Sequence, residues 1–207
     1  YSCHYKSNLN STLNAIFEYN TSYPLKKETI NYKDILKPMA SFRYSPNKTK
    51  DVKNRERRVE INNAFNLNRL SLNDTVEGGA SLTYGAEFSK ENKKDQEIFN
   101  LKLANVFRID EDKNLPKNNS LGEKTSDIFG SVDVNPNKIF SIGYNFAQKN
   151  NLKDTNHEIL KTEMNLNKFV TTFEYLNENN TSSNESFLDN KTSYSMDEAN
   201  SISFETR

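Results

Sequence analysis

The chain has 207 residues and carries 28 Lys and Arg against 28 Asp and Glu, so it has no net charge with which to recruit nucleic acid over its whole surface. Its 34% hydrophobic and 27% charged content approaches that of disordered chains, but 10 Tyr and 13 Phe supply the large apolar groups such chains lack. A single cysteine excludes an internal disulfide, two histidines are too few for most all-nitrogen metal sites, and no window holds the roughly 20 apolar residues of a membrane helix.

Wherever the apolar pattern has a period, that period is almost always two, which predicts strands rather than helices. Residues 12–23 set Leu13, Ala15, Phe17, Tyr19 and Tyr23 against Asn14, Glu18, Asn20 and Ser22. Residues 36–44 set Leu36, Ala40, Phe42 and Tyr44 against Lys37, Ser41 and Arg43, and residues 79–89 run Ala80, Leu82, Tyr84, Ala86 and Phe88 against Ser81, Thr83, Gly85 and Glu87. Residues 97–109 place Phe99, Leu101, Leu103 and Phe107 opposite Asn100, Lys102 and Arg108. Further strands are predicted at 126–134 (Ile128, Val132, Val134), 139–147 (Phe140, Ile142, Tyr144, Phe146) and 158–166 (Leu160, Met164, Leu166). The last three lie at 169–176 (Phe169, Phe173, Tyr175), 187–196 (Leu188, Tyr194, Met196) and 201–206 (Ile202, Phe204), making ten in all.

Most of these runs have the roughly nine to eleven residues with which a tilted strand crosses a bilayer, where a soluble sandwich would use about five or six. The connections alternate: 46–78, 110–125, 148–157 and 177–186 are long, while 90–96, 135–138, 167–168 and 197–200 are short. Long outer loops and short periplasmic turns are the pattern of an outer-membrane barrel. The polar composition follows, because only alternate strand residues would face lipid. The predicted class is therefore all-β, an antiparallel meander of about ten strands forming part of a transmembrane barrel. The Phe, Tyr and Leu of these runs belong on its convex face, and the loop at 46–78, with Phe65, Leu67, Leu70 and Leu72, is too apolar to extend freely into water.

Three ordered stretches carry a resemblance: ILKPMASFRYSPN at 35–47, FNLNRLSLNDTVEGGASLTYG at 65–85 and ANVFRIDEDKNLPKNNSLGEKTSDIFG at 104–130. Together they closely resemble the C-terminal barrel region of the lipopolysaccharide-assembly family LptD, also called organic solvent tolerance proteins; beyond residue 148 the match is one of pattern. The resemblance implies a non-enzymatic component of lipopolysaccharide (LPS) transport in the outer membrane of a Gram-negative bacterium, delivering LPS to the outer leaflet. It also implies a lipoprotein plug and a periplasmic LPS bridge as partners, with no nucleic acid and no cofactor. A general porin or other transporter would share the strands but not the three motifs.

Within the second motif Arg69, Asp74 and Glu77, beside Gly78 and Gly79, are predicted to brace the long loop against the lumen through charge-assisted hydrogen bonds. Gly78 and Gly79 lead into a strand, whereas a phosphate-binding loop leads into a helix with a nearby Lys and Ser or Thr. In the same loop Arg55, Arg57 and Arg58 are candidate contacts for LPS phosphates, against the simpler reading of a mixed-charge loop in water. His157 beside Glu158 invites an outer-membrane hydrolase reading, but one loop histidine is far from a Ser-His-acid triad. Cys3 beside His4 reads as an incidental pair. Alternation persists through Ile202 to Arg207 without the terminal aromatic of a bacterial outer-membrane strand. Residues 1–207 are thus expected to be a partial barrel domain, whose N-terminal periplasmic domain and remaining strands lie elsewhere, because an open sheet edge in lipid leaves backbone groups unpaired.

Overall fold

The structure, a computed structural model, describes residues 13–180, 184–197 and 200–207. Its strands are β1 (Phe17–Ser22), β2 (Leu25–Glu28), β3 (Tyr32–Ser45), β4 (Gly79–Asn92), β5 (Glu97–Arg108) and β6 (Ile128–Val134). They continue as β7 (Phe140–Gln148), β8 (Thr155–Leu166), β9 (Phe169–Asn179), β10 (Asn184–Ser195) and β11 (Ser201–Thr206). All lie in one sheet in the order β1-β3-β4-β5-β6-β7-β8-β9-β10-β11, with β2 also paired to β3.

Eleven strands stand where ten were predicted, and the reason is local. Ser22 opposes Met39 and Leu25 opposes Leu36, so β1 and β2 keep one register along β3. Pro24 separates them; it has no N–H to give the ladder, and only Tyr23 N, donating to Pro38 O at 3.1 Å, bridges the gap. The predicted start at residue 12 lies outside the described residues, and residues 13–16 are not strand. Beyond Ser45 comes Pro46, and there the Asn47 side chain replaces the ladder, accepting from Ala15 N at 2.8 Å and donating to Leu13 O at 2.9 Å. Several other strands run further than the apolar alternation does. The β3–β4 pairing extends down to Tyr32 and Asn92, where Lys33 meets Glu91 at 2.6 Å, because polar partners close a ladder as well as apolar ones do.

Register carries the faces across the sheet. Leu36 stands opposite Phe88, Phe88 opposite Leu101, Leu101 opposite Val132 and Val132 opposite Tyr144; Tyr144 then opposes Leu160, Leu160 opposes Tyr175 and Tyr175 opposes Leu188. This is an unbroken apolar band from β3 to β10. A second row, Tyr19, Phe42, Leu82 and Phe107, lies nearer the long loops. Many of these side chains are exposed, Phe42 at 47% and Leu188 at 58%, so the band is not buried between stacked sheets. A face this apolar and this open is suited to hydrocarbon rather than to water.

The opposite face holds the intervening residues, among them Lys102 opposite Ser131, Ser131 opposite Asn145, and Lys161 opposite Glu174. Over β4 to β7 that face is covered by chain. Val52, Val59, Ile61, Ala64, Leu70 and Leu72 of the 46–78 loop and Leu115 and Leu121 of the 109–127 loop bury themselves against Ala104, Val106, Phe129 and Ala147. Phe65 packs on the edge of this core, while Leu67 is 46% exposed. The two loops also bond to each other, Val52 N to Asn114 O at 2.9 Å and Asn119 Nδ2 to Arg57 O at 2.6 Å, and so form a second layer at the long-loop end of the sheet.

Candidate functional site

At the centre of this layer one carboxylate collects three guanidinium groups. Glu77, the second residue before β4, is 4% exposed. Its Oε1 accepts from Arg69 Nη2 and from Arg108 Nη1, both at 2.5 Å, and its Oε2 accepts from Arg69 Nε at 3.1 Å and lies 3.3 Å from Arg43 Nη1. Further donors of the three side chains are used as well. Arg69 reaches Thr83 Oγ1 and Ser81 Oγ, Arg43 reaches the carbonyls of Leu67 and Glu77, and Arg108 reaches those of Gly78 and Asp110. Asp112 stands 3.8 Å from Arg108 and accepts from Thr49 Oγ1, which links both loops to the cluster.

Secondary structure brings these groups together. Arg43 and Arg108 both oppose Ser81, one from each side of β4, so their side chains share the inner face and flank a short serine over which Arg69 can lie. Burial by itself pushes the Glu77 carboxyl up, but the charges of Arg69, Arg43 and Arg108 outweigh it and hold the group below the usual carboxylate range. Planar guanidinium forks suit this packing because each presents several donors in fixed directions.

The glycine pair has a structural role at this point. A Cβ on Gly78 would stand 2.2 Å from Asn47 O, and Gly79 has φ of 77°, so the chain passes under the loop and turns into β4 only with these residues. Arg69, Glu77, Gly78 and Gly79 are therefore adjacent in space. Asp74 is elsewhere: it takes a bidentate pair from Arg55 at 2.8 and 2.7 Å on the solvent side of the loop, and that hydrogen bonding lowers its pKa. Arg58 pairs with Glu178 on β9, and Arg57 Nη1 donates to the carbonyl of Glu56.

Arg43 and Arg108 were legible only as inward-facing strand residues. One signal could have marked them: the chain has 7 Arg among its 28 basic residues, and two of those seven sit at inward positions within the quoted motifs. His157 is 5% exposed, opposite Ala147 and Glu178 in the ladder, and thus lies under the loop layer rather than in a loop. Cys3 and His4 lie outside the described residues.

The geometry offers a wall with one hydrocarbon-compatible face, one polar face and a charge-locked layer at one end. The family model for LptD, described as LPS transport system D, matches residues 4–203. Comparison with curated proteins gives no match. Because that family match spans nearly the whole chain, and the sheet has the single-layer, two-faced form of a barrel wall, the chain belongs to the LptD family of LPS transport components of the outer membrane.

Proposed function

We propose that this chain forms part of a barrel wall that delivers LPS to the outer leaflet, and that the carrying observation is the sheet's two faces. LPS joins a polar saccharide to acyl chains. Moving an acyl chain through water costs about 0.8 kcal/mol per methylene, and stripping water from a sugar hydroxyl without a partner costs roughly 2–7 kcal/mol. A wall with Leu36, Phe88, Leu101 and Tyr144 on one side and Lys102, Ser131 and Asn145 on the other meets both requirements at once. β1 and β11 stand at opposite ends of the strand path, and in lipid their outer backbone groups need partners, so we assign this sheet to a partial domain closed by further strands.

The Arg43, Arg69, Arg108 and Glu77 cluster braces the 46–78 loop over the lumen. Arg55, Arg57 and Arg58 on that loop contact LPS phosphates, and of the three only Arg57 is not held by a carboxylate among the described residues. A lipoprotein plug and a periplasmic LPS bridge complete the set of partners that the resemblance implies. The test is depletion of the protein in its host, followed by labelling of surface LPS with a membrane-impermeant reagent. Surface LPS should fall while newly made LPS accumulates inside. Unchanged surface LPS with reduced uptake of small solutes would instead identify a general porin.

A further inference from the structure

A polar cavity of about 280 Å³ opens between the 109–127 and 148–154 loops at the long-loop end of the sheet, and every side chain lining it is polar or charged. Five are asparagines, and the two lysines, Lys117 and Lys149, balance the two acids, Glu123 and Asp127. Such a lining is wrong for an apolar ligand, which wants mostly apolar walls, and its charge balance favours neither an anion nor a cation.

The floor of the cavity is built by a β-bulge. Gln148 pairs with Thr155 and Ala147 with His157, so Asn156 is the extra residue of β8. Bulges re-aim side chains, and here Asn156 turns inward beside His157, 7% exposed. Its Nδ2 donates to Asp127 Oδ2 at 2.9 Å, which fixes the orientation of the amide, since the reverse would set two oxygens together. The Oδ1 that this leaves is buried and has no hydrogen-bond partner among the described residues. A buried acceptor without a donor costs about 1–3 kcal/mol, so the site is arranged for a donor that arrives from the cavity. Burial also pushes the Asp127 carboxyl up, against hydrogen bonds from Asn156 and Ser120, which suits a group that exchanges hydrogen bonds with hydroxyls.

We infer that this cavity is a saccharide subsite, in which Asn156 Oδ1 and the Asp127 carboxyl take hydroxyls of an LPS sugar while Asn150 and Lys149 close over its rim. The inference rests on the LPS-delivery reading. It places a discrete sugar-holding station where the lumen meets the outer loops, on chain that the glutamate-arginine cluster holds in place.

Two measurements on the full protein separate the two readings. A photo-crosslinking residue placed in cells at Asn150, on the rim, and another at Lys161, on the inner face of β8 away from the cavity, should both capture LPS. Capture at Lys161 alone would overturn the subsite and leave transport standing; capture at neither would overturn both. In detergent, delipidated LPS oligosaccharide should bind at least tenfold more weakly to Asn156→Leu and about threefold more weakly to Lys149→Ala. If Asn156→Leu does not fold, Lys149→Ala decides, and an affinity equal to that of the unaltered protein overturns the subsite. Equal competition by inorganic phosphate or by calcium would also overturn it, in favour of an ion site.

Discussion

The inner face of the sheet is two different surfaces. From β3 to β7 it is roofed by two loops, with buried Leu70, Leu121 and Phe129 and the Glu77 cluster beneath them; from β8 to β11 the roof reaches only the end of β8 at His157, and among the described residues Leu176 is the one buried hydrophobic side chain. The same strand alternation therefore supports a packed interior on one side and an open polar lumen on the other. The difference comes from loop length. A connection of the size of 46–78 can carry its own apolar residues back onto the sheet, whereas one as short as 149–154 cannot roof the neighbouring strands.

If the roofed half is locked chiefly by the buried ion cluster, Glu77→Ala has the largest effect, because three guanidinium groups then lose their shared counter-charge. Breaking such a cluster costs about 3–5 kcal/mol, whereas Glu174→Ala on the open half should change stability by less than about 0.5 kcal/mol. Heat-dependent gel mobility of the detergent-solubilised protein measures both; equal effects would erase the contrast. Next comes Leu70→Ala, at about 2–5 kcal/mol for a fully packed leucine, against no comparable change for Leu188→Ala on the exposed band. Should both variants melt alike, the loop layer is not a core.

Acid sharpens the comparison further. The folded pKa of Glu77 lies below its ordinary value of 4.5, so its contribution is fully present above about pH 4.5 and is lost as pH falls through the lowered folded value. Pepsin added across that window should begin to cut within 46–78 at a higher pH than it cuts the strands of the open half. Simultaneous cleavage of both halves would count against a loop held by this carboxylate. The smallest effect is expected at Asp74→Ala, since the Arg55 pair is solvent-exposed: the melting transition should stay where it is, and a clear shift would show that the solvent side of the loop shares in the lock.

The faces were readable residue by residue. Phe88, Leu101, Tyr144 and Leu160 alternate with polar neighbours, and a period of two admits one assignment once lipid lies on one side. Arg69 and Glu77 could be picked out as charges beside the loop's apolar residues Leu67, Leu70 and Leu72. Asp74 was grouped with them by nearness in sequence, yet it points to solvent because the chain turns at Ser71, where φ is 49°. Arg43 and Arg108 come from strands on either side of β4, so no sequence interval relates them to Glu77. Asn156 had no signal at all, because a bulge is the mismatch of one strand with its partner.

What the sequence determined by itself was therefore the local and periodic: strand identity, the lipid-facing set, the alternation of long and short connections, and the family motifs. Each depends on residues near one another along the chain, whose side-chain directions follow from backbone geometry. Only the tertiary structure decided which charges share Glu77, which loop residues turn inward and where a bulge aims an amide. Those depend on register between strands and on a loop folding back over them, and the free energy that selects them comes from groups dozens of residues apart, as Arg43, Glu77 and Arg108 are.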